Sequence, residues 1–158
     1  MEHDLAIAVR LVGAMAIYVE HRIPAEVPQW ADRILAAAEQ DPGVPGLAKV
    51  YGVAAAGARF AGNLDRGRNL ASAGLAIVAD PATEGYLCYL LAEVALFSGQ
   101  LEEAQALSHH VLALQPAVPV APLIALLGRL RCFTAEIRTP PSGVRRPCLP
   151  RRSASARR

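Results

Sequence analysis

The chain has 158 residues, 53% of them hydrophobic but only 5% aromatic, and a formal net charge of +2 at pH 7. This is enough for one domain that buries roughly 70% of its unfolded surface. Its apolar content, mostly Ala, Leu and Val, suits close-packed helices and argues against a strand-rich fold. The three cysteines, Cys88, Cys132 and Cys148, are an odd number without CxxC spacing, so they support neither a disulfide framework nor a zinc site and point to a reducing cytoplasm.

In chain order, the first expected helix covers Asp4 to His21, with Asp4 as its cap and Leu5, Val9, Val12, Ala16 and Val19 on one stripe. It is apolar nearly all round, which predicts that it is mostly buried. Arg10 interrupts the run, Glu2 and Asp4 precede it, and it falls short of the roughly 20 residues that span a bilayer. It therefore reads as neither a signal nor a membrane segment, and no membrane partner is expected. A second helix follows Pro24, from Ala25 or Pro28 through Glu39, with Trp30, Ile34 and Leu35 facing inward. Pro28 is tolerable in a first turn, where its missing N–H would be unpaired anyway.

The loop Asp41-Pro42-Gly43-Val44-Pro45-Gly46 leads into two helical pairs. The first is expected over Leu47 to Ala61 and Leu64 to Ala79. The second is expected over Thr83 to Ser98 and Leu101 to Leu114, with Thr83 as the N-cap. Each pair turns on the same phrase: Gly62-Asn63-Leu64 and, 37 positions later, Gly99-Gln100-Leu101. A period of this size marks stacked repeats, whose units must cover one another's apolar faces. A further helix is expected over Pro122 to Arg138, where Leu123, Leu126, Leu127, Leu130 and Phe133 recur at helical spacing. It has no second helix to pair with, so the array reads as truncated.

Charge divides the chain at Arg138. Residues 1–137 hold nine Lys or Arg against all fourteen acids, and residues 138–158 hold seven Arg and no acid. The expected domains are a helical repeat domain over 1–138 and a disordered Arg/Pro/Ser-rich tail over 139–158. Arg145-Arg146, Arg151-Arg152 and Arg157-Arg158 could neutralise phosphates without reading sequence, since the tail has no aromatic residue on which to stack a base. The abrupt change of composition also fits out-of-frame translation, and an ordinary disordered tail remains a third reading.

The segment from Cys88 to Ala104 resembles a tetratricopeptide repeat: Leu91-Ala92, Gly99, Leu101 and Ala104 match the family's pattern, and Pro116 its closing proline. Ala55, Gly62, Leu64 and Gly67 match it in the preceding copy. The departures are the 37-residue period, Cys88 in place of an aromatic, and Gly67 and Gly74 inside a helix. This looser form is similar to the C-terminal helical arrays of large actinobacterial ATPase-type transcriptional and signalling regulators. The resemblance implies an all-α, right-handed alpha-solenoid of antiparallel hairpins with about seven helices. It also implies a non-catalytic protein-interaction scaffold, part of a transcriptional or signal-transduction regulator, that binds a protein or peptide. Solenoid geometry alone suggests a concave partner-binding face around Tyr51, Ala55, Arg59, Tyr89 and Glu93. The alternatives are a small nucleic-acid-associated protein acting through the tail, or a nonfunctional truncated remnant.

No catalytic, cofactor or metal residue is expected. Nothing fits a phosphate-binding loop, and Gly52, Gly57, Gly62 and Gly67 read as close-packing or turn positions. His109 and His110 are adjacent and so point in different directions on a helix. Cys88 reads as a small core residue, and Glu102-Glu103 as a solvated first turn.

Overall fold

The computed structural model describes residues 2–22, 25–41, 43–114 and 128, with side chains from Asp4 onward. Among the described residues there are seven helices and no strand: α1 (Glu2–Ala14), α2 (Ala16–Arg22), α3 (Glu26–Ala38), α4 (Leu47–Phe60), α5 (Leu64–Ile77), α6 (Pro81–Phe97) and α7 (Leu101–Ala113). The count matches the expected seven for a different reason. The first expected helix is two, and the one expected over 122–138, like the tail after it, lies outside the described residues apart from Gly128.

The break between α1 and α2 falls at Met15, whose amide donates to the Val12 carbonyl at 3.0 Å, three residues back instead of four. Such a tightened turn interrupts the α-helical ladder without reversing the chain. Val9, Val12, Ala16 and Val19 are buried as the spacing predicts. The expectation of a mostly buried helix is corrected to one of burial along a single side, because Ile7, Leu11, Ile17 and Tyr18 are all about half exposed or more. Asp4 is not the cap either, since α1 already begins at Glu2.

In α3 the inward stripe is Val27, Ala31, Ile34 and Ala38. Their spacing of four, three and four follows one face of a 3.6-residue helix. Trp30 is corrected to a surface position, 43% exposed. It stands one residue before Ala31, about 70° round the helix from the centre of the stripe. Pro28 lies in the first turn, where its missing N–H costs no ladder bond.

The two later hairpins share one elbow. Gly62 donates to Arg59 O and Asn63 to Ala58 O, at 2.9 Å each. Gly99 donates to Leu96 O at 3.1 Å and Gln100 to Ala95 O at 2.8 Å. These are Schellman motifs, and both glycines adopt a φ of 77°, left-handed backbone that a Cβ would penalise. In the first elbow Asn63 also caps α5, its side chain accepting from the Arg66 amide at 3.1 Å. The cap of α6 is Asp80, not Thr83: the carboxylate accepts from the Thr83 amide at 2.8 Å, with Pro81 opening the helix. That hydrogen bond holds the Asp80 carboxyl below its usual pKa.

Consecutive helices pack along the chain from α3 to α7, and α4 additionally touches α1, α2 and α6. Small residues set the spacing. A Cβ on Gly57 would lie 2.3 Å from Pro28 Cβ, and one on Gly74 would lie 3.0 Å from both Leu87 Cδ2 and Tyr51 Cβ. The packing role expected for the helical glycines is therefore visible in the geometry. Every residue of α6 from Leu87 to Leu96 is buried, as befits a helix apolar on all sides. Glu93 is the single acid in that run.

Candidate functional site

The five residues expected on a partner-binding face lie on α4 (Tyr51, Ala55, Arg59) and α6 (Tyr89, Glu93). Packing of α4 on α6 brings the two groups together, in the interior. Ala55, Tyr89 and Glu93 are 1%, 7% and 1% exposed, Arg59 is 9% exposed and Tyr51 is half-buried. The expectation of an open face lined by Arg59 and Glu93 is corrected to a buried charge cluster.

That cluster links three helices. Arg59 Nη1 donates to Glu93 Oε2 and Arg59 Nη2 to Glu20 Oε2, the latter at 2.6 Å. The side chains of Glu20, Arg59 and Glu93 are 8%, 7% and 2% exposed. Glu20 sits on α2, whose packing against α4 carries the carboxylate to the guanidinium. Tyr86 donates its hydroxyl to Glu20 Oε1 at 3.4 Å. Two carboxylates thus face one guanidinium in a largely dry setting, and the protonation balance reflects it. Burial pushes the Glu20 carboxyl above its ordinary pKa against the pull of Arg59. Burial works against the Arg59 charge as well, but Glu20 and Glu93 outweigh it and leave the guanidinium more basic than usual. Burial and the nearby carboxylates keep the Tyr86 and Tyr89 phenols protonated. Arg59 Nε is buried without a hydrogen-bond partner among the described residues.

The same arginine supports an apolar cleft. Its guanidinium carbon lies 4.2 Å from the centroid of the Phe60 ring, within cation–π range. Phe60 forms one wall of a recess of about 340 Å³ between the end of α2, the start of α3 and the end of α4. The other lining residues are Val19, Ala25, Pro28, Gln29, Gly57 and Ala61. Gly57 and Pro28 both line it, so the tight packing of α3 on α4 at this pair also shapes the recess. Among the described residues the lining has no titratable group. It can take an apolar side chain and offer the Gln29 amide as a hydrogen-bond partner, but by itself it cannot move a proton. Composition and spacing gave no sign of this cleft, because its walls come from three helices and Phe60 reads as an ordinary end-of-helix aromatic.

The remaining candidates settle into structural roles. Cys88 is buried, and burial raises its thiol pKa to about 11, which leaves little reactive thiolate. His109 and His110 are exposed, and His110 Nε2 lies 2.9 Å from Glu84 Oε1 across the α6–α7 hairpin. Glu103 accepts from Arg68 at 2.6 and 3.0 Å, and this bond depresses the Glu103 pKa. Arg66 donates to Asp32 at 2.7 Å. Among the described residues no three His, Cys, Asp or Glu side chains are grouped to hold a metal. None of the described helices is long and apolar enough to cross a membrane. Comparison of the chain with family models, curated proteins and solved structures finds no match in any of the three.

Proposed function

We propose that the protein is a non-catalytic interaction scaffold, a right-handed solenoid of helical hairpins similar to tetratricopeptide arrays, that binds a protein or peptide partner. The observation that carries this reading is the repeated elbow at Gly62 and Gly99, with identical hydrogen bonding and left-handed geometry. Packing of α4 against both α2 and α6 supports the stacking of first helices that a solenoid requires. The contact point we assign is the Phe60 cleft, and its occupant is an apolar side chain presented by the partner. At about 340 Å³ the cleft is at the small end of ligand sites, which favours one inserted side chain over a whole cofactor. The wider setting, a transcriptional or signalling regulator in the cytoplasm, rests on the sequence resemblance.

Selection of a displayed peptide library on the full chain tests the scaffold reading. It predicts convergence on peptides that share an apolar anchor, with weaker binding to the Phe60→Ala protein. Enrichment no better than on an unrelated protein would count against it.

The seven arginines after residue 137 favour a second reading, binding to polynucleotide through the tail. Deleting 139–158 should then abolish a salt-sensitive affinity for single-stranded nucleic acid. Affinity that survives the deletion would eliminate that role.

A further inference from the structure

The exposed side of α1 and α2 carries a stripe that the cleft and the charge cluster leave unused. Ile7, Leu11 and Tyr18 are 56%, 61% and 49% exposed, and Ala14 between them is also exposed. At 100° per residue Ile7, Leu11 and Ala14 fall within about 60° of arc on α1, and the tightened step of about 120° at Met15 leaves Tyr18 of α2 within the same arc. The stripe lies opposite the buried side of Val9, Val12, Ala16 and Val19, with which the pair packs on α3 and α4. Large apolar side chains aligned in this way on a surface mark a contact.

The order of groups along the stripe is nearly the same read from either end, apart from charge. Ile7 and Tyr18 are its outer apolar residues, and Leu11 and Ala14 its inner ones. Asp4 lies beyond one end, on α1, and Arg22 beyond the other, on α2, both exposed. From Asp4 to Arg22 the stripe is about 27 Å long. A second copy laid antiparallel on it, related by a two-fold axis between Leu11 and Ala14, would place Ile7 beside the other Tyr18. It would also bring Asp4 level with the opposite Arg22. A two-fold contact demands this kind of self-complementarity, and antiparallel alignment also sets the helix dipoles in opposition.

We infer that the α1–α2 face is a homodimer interface in which two copies pair antiparallel through Ile7, Leu11 and Tyr18, with Asp4 meeting Arg22 of the other copy. A single helix pair makes a contact smaller than the roughly 1,200 Å² of a standard stable interface, which places the dimer among weak, transient associations. The stripe faces away from the Phe60 cleft, so the two readings stand or fall separately.

Sedimentation velocity of the full chain from about 1 µM to about 1 mM, a span that brackets such affinities, tests the inference. The wild-type protein should pass from monomer to dimer. Leu11→Asp, exposed and next to the axis, should hold the chain monomeric while circular dichroism stays unchanged. Asp4→Arg and Arg22→Asp alone should each weaken association several-fold, because each sets like charges against one another. Their equimolar mixture should restore it, since every facing pair is again opposite in sign. A wild-type chain that stays monomeric throughout would overturn the inference. So would a Leu11→Asp chain that dimerises like wild type, or a mixture that associates no better than either variant alone.

Discussion

Glu20, Arg59 and Glu93 are the residues whose chemistry depends most on the fold around them. Removing Arg59 strands two carboxylates in a site that water barely reaches. Arg59→Met should therefore destabilise the protein by about 3–5 kcal/mol, the usual cost of breaking a buried ion pair from one side, read as a lowered urea midpoint. Glu20→Gln removes the surplus carboxylate charge while keeping an acceptor for Arg59, so its effect should be far smaller. The sign of its pH dependence follows from the raised Glu20 pKa. The folded state holds this proton more tightly than the unfolded chain, whose carboxyl titrates near 4.5. The stabilisation from this group is complete below that value and is lost as pH rises through the folded pKa. Stability of wild type relative to Glu20→Gln should accordingly improve as pH falls from 7 toward 4.5; a difference that stays flat or moves the other way would refute this assignment.

At the scale of elements, two kinds of glycine can be told apart by substitution. A Cβ on Gly99 would meet nothing within 4 Å, so Gly99→Ala faces only the backbone penalty of the left-handed conformation, about 1–2 kcal/mol. Gly57 has ordinary helical backbone but no room, because the rigid Pro28 ring lies against it. Gly57→Ala must push α3 from α4 and should cost about 1–3 kcal/mol as overpacking. It should also weaken peptide binding by deforming the cleft, whereas Gly99→Ala should leave binding intact. Thermal melts paired with binding isotherms would separate the two. The caps can be ranked in the same way: Asp80→Ala should cost about 1 kcal/mol and Thr83→Val less, because the Thr83 amide keeps its bond to the Asp80 carboxylate when the hydroxyl's weaker contribution is lost.

At the scale of the whole molecule, the elements were legible because local physics writes them. The Gly-x-Leu elbows, the prolines and the 3.6-residue stripes are short-range signals, and they place α3 to α7 within a residue or two of their observed ends. Three features escaped for the same reason: each depends on what lies opposite in space. Trp30 looks like a core residue until α3 is seen to bury its Val27–Ala38 stripe instead. The α1–α2 face looks buried on hydropathy alone, yet only one of its sides has α3 and α4 to cover it. The charge cluster joins positions 34 and 39 residues apart, and no periodicity announces such a partnership. Arg59 and Glu93 could be picked out as facing residues on first helices, but their burial became visible only once the helices were packed.

The most direct measurement of the scaffold proposal is chemical-shift mapping of the isotope-labelled full chain during titration with a library-selected peptide. Shifts should concentrate on Val19, Ala25, Gly57, Phe60 and Ala61 and vanish in Phe60→Ala, while the amides of α7 stay in place. Shifts centred on another surface, or an undiminished response in Phe60→Ala, would contradict it.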